Sequence, residues 1–153
     1  MEGEIPPFFM NQARINLDKM VDLLKTKIDS HSTNGNFFIL LFGDYGTGKT
    51  TLVQKLAKEV GINERVKSPS FGYVNEYKIE HPRLNTLHHV DLWRVPDSQS
   101  SAMILDNIPR NKQLVVIEWA NKLSNSIFSE QGSVMIEILV EIDKEDNHFY
   151  TLL

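Results

Sequence analysis

No cysteine occurs in the chain, which excludes disulfides, thiolate metal centres and cysteine nucleophiles and fits a reducing compartment. Net positive charge is missing as well. The formal balance is −4, so overall charge gives no drive for nonspecific binding to nucleic acid, and only a local basic patch stays open. No apolar run is long enough to span a bilayer. The segment Met1 to Met10 carries Glu2 and Glu4, and Pro6 and Pro7 interrupt its short apolar patch, a pattern unlike a secretion signal. The expectation is a cytoplasmic protein without membrane attachment. Internal repeats and low-complexity tracts are also lacking. What is present is a chain of 153 residues, 41% of them apolar, the size of one compact domain with a sizeable core.

The residues that carry most chemistry are Gly43-Asp44-Tyr45-Gly46-Thr47-Gly48-Lys49-Thr50, a match to G-x-x-x-x-G-K-[ST]. The apolar run Phe37 to Phe42 precedes them and the helix-like run Thr51 to Val60 follows. Glycines there permit positive φ and close backbone approach, so successive N–H groups turn toward phosphate oxygens at the positive end of a helix dipole. Lys49 is placed to meet the β- and γ-phosphates, and the Thr50 hydroxyl to ligate a hard cation such as Mg²⁺. Without a ligand the same residues would be only a glycine-rich turn between strand and helix.

Ile15, Met20, Val21, Leu24 and Ile28 recur at helical spacing, with Asn11 as a candidate cap. The polar cluster Ser30 to Asn36 then leads into the strand before the glycine loop. Leu52, Val53, Leu56, Ala57 and Val60 give the next helix a packed face that ends at Gly61. Phe71 to Ile79 and Leu84 to Arg94 read as extended segments joined by the turn Glu80 to Arg83, so the sheet should be mixed. A short helix over Ser98 to Ile108, a buried strand over Gln113 to Glu118, a short helix over Asn121 to Phe128 and a strand pair, Ser133 to Ile142 with His148 to Leu153, complete the chain. The fold class expected is α/β: a three-layer sandwich of the P-loop NTPase type, with a mixed sheet and a C-terminal antiparallel strand pair.

A nucleotide loop needs acidic partners at the carboxyl ends of sheet strands. Glu118 closes the strand Leu114-Val115-Val116-Ile117, and Asp91 lies in His88-His89-Val90-Asp91-Leu92-Trp93-Arg94. A period of two puts His89, Asp91 and Trp93 on one face of that strand and His88, Val90, Leu92 and Arg94 on the other. The paired histidines therefore diverge, which argues against zinc. The turn Val66-Lys67-Ser68-Pro69-Ser70-Phe71 offers hydroxyls within reach of a γ-phosphate, and equally reads as a surface turn. Asn121-Lys122-Leu123-Ser124 lacks the aspartate that reads guanine, and Asp91 lacks the following D-x-x-G glycine, so a GTPase is disfavoured.

Taken together, the loop Gly43 to Thr51, the segment Val66 to Phe71, His89-Val90-Asp91-Leu92-Trp93-Arg94 and Ile117-Glu118-Trp119 resemble the TsaE (YjeE) family in order and spacing, from about Phe37 to Trp119. The resemblance implies one P-loop ATPase domain over residues 1–153. It would act with the TsaB and TsaD proteins in bacterial synthesis of threonylcarbamoyladenosine, meeting tRNA only indirectly. It further implies ATP and Mg²⁺ as ligands. Lys49 would bind phosphate, Thr50 and Glu118 would hold the metal, Asp91 would support hydrolysis, and Ser70 and Trp119 would line the site beside Gly43, Asp44, Tyr45, Gly46, Thr47, Gly48 and Thr51. Arg14 and His148 depart from the family pattern, which commonly has a threonine and an arginine near those places. A small-molecule P-loop kinase is the competing enzyme class, although Arg14, Arg65, Arg83, Arg94 and Arg110 form no lid-like cluster. A binding module switched by nucleotide without hydrolysis is the non-enzymatic alternative.

Overall fold

The computed structural model describes residues 13–32, 34–69, 72–124 and 132–153. Its centre is β2 (Phe37–Phe42), whose continuous apolar run is covered on both faces, as a parallel strand requires. Phe37, Ile39 and Leu41 point into a core built with α1 (Leu17–Asp29) and α2 (Lys49–Glu59). Phe38 and Leu40 point the other way, toward Leu105 of α3 (Ser98–Asp106). Helices thus cover both faces of the sheet and make three layers. Leu24, Ile28, Ile39 and Leu41 are among the fully buried side chains, each worth about 2 kcal/mol of burial.

Strand order is β1-β7-β6-β2-β5-β4-β3. The remaining strands are β1 (Arg14–Ile15), β3 (Val74–Lys78), β4 (Thr86–Asp91), β5 (Gln113–Glu118), β6 (Val134–Ile142) and β7 (His148–Leu152). β4, β5, β2 and β6 run parallel, while β3 and β7 are antiparallel additions on either side, so the sheet is mixed and ends in an antiparallel pair. Sheet register sets Asp91 of β4 beside Glu118 of β5, and Glu118 beside Leu41 of β2. Both carboxylates therefore arrive where β2 gives way to the glycine loop.

Local departures from the sequence reading have identifiable causes. α1 is capped by Asn16, whose side chain accepts from the Lys19 N–H at 2.9 Å; Asn11 lies outside the described residues. Ile15 is not helical. It pairs with Tyr150 in a two-residue edge strand, and the neighbouring Arg14 meets Glu141 at 3.3 Å. In the described part of the stretch read as a helix over 121–128 there is one 3-10 turn, Ala120–Lys122, entered through Trp119 with φ of 58°. Lys122 reaches out of that turn to donate to the carbonyls of Trp93 and Val95, which draws it toward the end of β4. Residues 125–131 lie outside the described part. Among the described residues no helix is long and apolar enough to cross a membrane.

Candidate nucleotide site

The loop from Gly43 to Gly48 turns the chain from β2 into α2, and two of its glycines are demanded by their surroundings. Gly43 has φ of 149°, and a Cβ there would strike the Val140 carbonyl of β6. Gly48, the N-cap of α2, has φ of 109°, and a Cβ there would lie 2.9 Å from Tyr150 Oη and 3.1 Å from His148 Nδ1. Tyr150 donates to the Gly48 carbonyl at 3.1 Å, and His148 Nδ1 donates to the Thr47 carbonyl at 2.6 Å. Thr47 itself is buried and donates through Oγ1 to Asp44 O at 3.0 Å. β7 thus props one side of the loop.

Lys49 begins α2 yet is only 5% exposed. Its ammonium donates to Gly43 O at 2.8 Å and Asp44 O at 2.6 Å, and lies 4.3 Å from the centre of the Trp119 ring. Burial pushes the Lys49 pKa below the ordinary lysine value, and the charges of Glu118, Asp91 and Asp44 offset part of that fall. The next residue, Thr50, donates through Oγ1 to the Glu118 carboxylate, 2.9 Å from Oε1 and 3.1 Å from Oε2, and lies 3.1 Å from Ser68 Oγ. Burial pushes the Asp91 carboxyl above the ordinary carboxylate value. The Trp93 N–H bond opposes that rise, the charge of Glu118 adds to it, and those of His89 and Lys49 oppose it.

These groups line a cleft of about 850 Å³ with Tyr45, Gly46, Gly48, Thr51, Ser68, Pro69, Tyr73, Trp93, Arg94, Trp119 and His148. Tyr45, Trp93 and Trp119 form an aromatic series along its rim, with centroid separations of 5.8 and 4.3 Å. Of the residues expected from the sequence, Tyr45, Gly46, Gly48, Lys49, Thr50, Thr51, Asp91, Glu118 and Trp119 meet at this cleft. Gly43, Asp44 and Thr47 shape the loop beneath it. Ser70 lies outside the described residues.

Tyr150 and Tyr73 are not singled out by the sequence; His148 is, where the family pattern has an arginine, and His89 is, on the strand face it shares with Asp91, but neither receives a role in the site. His89 is fully buried and joins Glu118 Oε2 at 2.5 Å. Its signal was available in the period of two, which put it on the face of Asp91. The neighbour His88 diverges, as expected, to meet Gln113 Oε1 at 2.7 Å.

The donor set also suits a magnesium nucleotide. Among the described residues no group of three or more His, Asp or Glu side chains could hold a metal ion by itself. One hydroxyl beside one carboxylate is the sparse protein contribution that Mg²⁺ accepts when substrate phosphates and water complete its shell. Thr50 and Glu118 supply that pair within hydrogen-bond distance, beside a buried ammonium and the first turn of a helix.

Residues 15–148 match the family model described as Threonylcarbamoyl adenosine biosynthesis protein TsaE. The chain is similar to the tRNA threonylcarbamoyladenosine biosynthesis protein TsaE of Haemophilus influenzae, with 32% identity over 116 residues, covering 75% of this chain and 68% of the relative. It is 39% identical to the protein of that name from a Nostoc species over 56% of this chain and 53% of the relative. For the Bacillus subtilis protein the identity is 29%, over 70% and 65% of the two chains. The match to the Nostoc relative spans only about half of that protein's length. The backbone is similar to the crystal structure of Bacillus subtilis YdiB, with a TM-score of 0.58 and 23% identity over 92% of this chain and 82% of that one, a likeness of fold.

Proposed function

The chain belongs to the TsaE family of threonylcarbamoyl adenosine biosynthesis proteins, and from that membership and the cleft we propose that it binds and hydrolyses ATP with Mg²⁺ as a single domain, in support of a tRNA-modifying complex containing TsaB and TsaD. In this reading tRNA is met only through that complex, in the cytoplasm. The observation that carries the proposal is the direct Thr50–Glu118 contact beside Lys49. It joins the hydroxyl of a phosphate loop to a carboxylate from a different strand, the arrangement a triphosphate with a bridging cation requires.

The backbone of Gly46 to Gly48 and the start of α2 cradle the phosphates, with Lys49 as the fixed positive charge. Thr50 and Glu118 would hold the Mg²⁺, which when bound would supply positive charge to neutralise the phosphate oxygens. Asp91, beside Glu118 in register, accepts a hydrogen bond from the water that attacks the γ-phosphorus and so orients it. Trp119 covers the Lys49 ammonium and screens it from bulk solvent. Ser70 is proposed to line the same site. Arg94 is the sole arginine among the described residues lining the cleft, and this supports hydrolysis over a kinase that closes an arginine-bearing lid.

The chain has two tryptophans, Trp93 and Trp119, and both line the cleft. Magnesium ATP should therefore change the intrinsic fluorescence on titration, and phosphate release should be slow alone and faster when TsaB and TsaD are added. Absence of any nucleotide response would refute the site. A response without association to TsaB and TsaD, and without faster hydrolysis, would refute the role in the complex.

A further inference from the structure

We propose that His89 is a positioning residue that fixes the rotation of the Glu118 carboxylate and ties it to the backbone of the Lys67–Ser68 turn. The inference rests on the reading of Glu118 as a holder of Mg²⁺. It concerns a side chain that is placed to touch neither nucleotide nor metal.

The imidazole bridges two elements. On one side Nδ1 lies 3.1 Å from the Lys67 carbonyl, which can only accept, so Nδ1 carries a hydrogen and donates. On the other side Nε2 lies 2.5 Å from Glu118 Oε2, a carboxylate oxygen that also only accepts, so Nε2 donates as well. Both residues are buried, His89 fully and Glu118 at 3% exposure, so water does not compete for the contact. Glutamate χ3 is a broad torsion, and without such a tether the carboxylate turns through a wide range. Tethering Oε2 leaves Oε1 as the oxygen nearer Thr50 Oγ1, at 2.9 Å against 3.1 Å for Oε2.

The far end of the tether is itself fixed. The Lys67 N–H donates to Tyr77 Oη at 3.0 Å, and Asn75 Nδ2 donates to the Lys67 carbonyl at 3.2 Å. One residue further, Ser68 Oγ reaches Thr50 Oγ1 at 3.1 Å. A displacement of this turn thus acts on both proposed metal-holding groups, on Thr50 through Ser68 and on Glu118 through His89. A buried histidine serving only to fill space would need neither contact.

Two substitutions separate the two ends of the ring. His89→Gln can place its amide near the position of Nε2 and keep the bond to Glu118, while His89→Asn can replace only the bond from Nδ1 to Lys67. Each folded variant would be titrated with ATP in EDTA and then with Mg²⁺ at fixed ATP, with kcat and KM measured alongside. The expected result is an apparent Mg²⁺ affinity about tenfold or more weaker in His89→Asn, and within about threefold of the parent in His89→Gln. Metal-free ATP binding should be unchanged in both, and the loss in His89→Asn should fall on kcat with KM for ATP preserved. Equal Mg²⁺ affinities in the two variants, or a parallel loss of metal-free ATP binding, would overturn the proposal. If His89→Asn does not fold, a tenfold loss in His89→Gln overturns it by itself. If the parent protein shows no magnesium-dependent ATP binding, the reading of the site falls, and this inference with it.

Discussion

Gly48→Ala tests whether the loop is held by β7 in the way the contacts describe. Two separable penalties act on the added methyl. The first is backbone strain, because φ of 109° is a conformation that costs an alanine about 1–3 kcal/mol. The second is steric: the new Cβ would sit 2.9 Å from Tyr150 Oη, so the ring has to retreat and its hydrogen bond to the Gly48 carbonyl is stretched, a loss of about 1 kcal/mol. His148 Nδ1, at 3.1 Å from the same Cβ, sits on an exposed side chain and yields more readily. The sum is about 2–4 kcal/mol against a total stability of about 5–15 kcal/mol, a shift of about 1–2 M in a urea midpoint. Tyr150→Phe removes the obstructing oxygen and leaves the strain, so Gly48→Ala should cost about 1 kcal/mol less in that background. Urea unfolding of the parent, both single variants and the double variant measures the coupling. A Gly48→Ala penalty below about 0.5 kcal/mol would refute the strain argument. An equal penalty in both backgrounds would refute the contact with β7.

Two further outcomes follow from buried groups at the loop. Lys49→Ala should weaken ATP binding roughly 30- to 150-fold, the equivalent of about 2–3 kcal/mol for a charge-assisted hydrogen bond in a buried site, as read by tryptophan fluorescence; a change below threefold would remove Lys49 from the phosphate site. Burial raises the Tyr150 hydroxyl from its ordinary 10.0 to about 12, so the native chain retains a proton that the unfolded chain releases. The contribution is intact below pH 10 and is lost as pH rises from about 10 to about 12. The pH dependence of unfolding should fall in that window and lose this component in Tyr150→Phe.

Where one local chemistry dictates a pattern, the sequence was legible. The glycine loop, the strand before it and the helix after it had to occur together, and the alternate burial of Phe37 to Leu41 across two cores was implied by an uninterrupted apolar strand. Glu118 could be placed at a strand end for the same reason. What escaped was set by partners distant in sequence. Ile15 continued the helical period of Met20 and Leu24, yet it pairs with Tyr150 in an edge strand, and a capping asparagine at Asn16 then starts the helix. Of the stretch read as a helix over 121–128, the described residues hold a short turn at Ala120–Lys122, entered through Trp119, which takes a left-handed conformation while its ring packs on Trp93 and covers Lys49. His89 carried the right periodicity, but its task depends on a β5 carboxylate and a loop carbonyl that no local window contains.

The two sides of β2 divide the work of the loop. On the β7 side, Tyr150 and His148 engage the carbonyls of Gly48 and Thr47. On the inner side, Lys49 engages those of Gly43 and Asp44. A carbonyl lone pair facing a phosphate oxygen is repulsive, so a cradle built from backbone must occupy its carbonyls elsewhere before its N–H groups can serve an anion. Those four hydrogen bonds do so with groups of the chain itself. The β5 and β4 side supplies the opposite kind of group, the carboxylates of Glu118 and Asp91, and the turn at Lys67–Ser68 reaches Glu118 indirectly, through Thr50 and His89. The loop is therefore anchored on the two sides of the place where the proposed reading sets the phosphates.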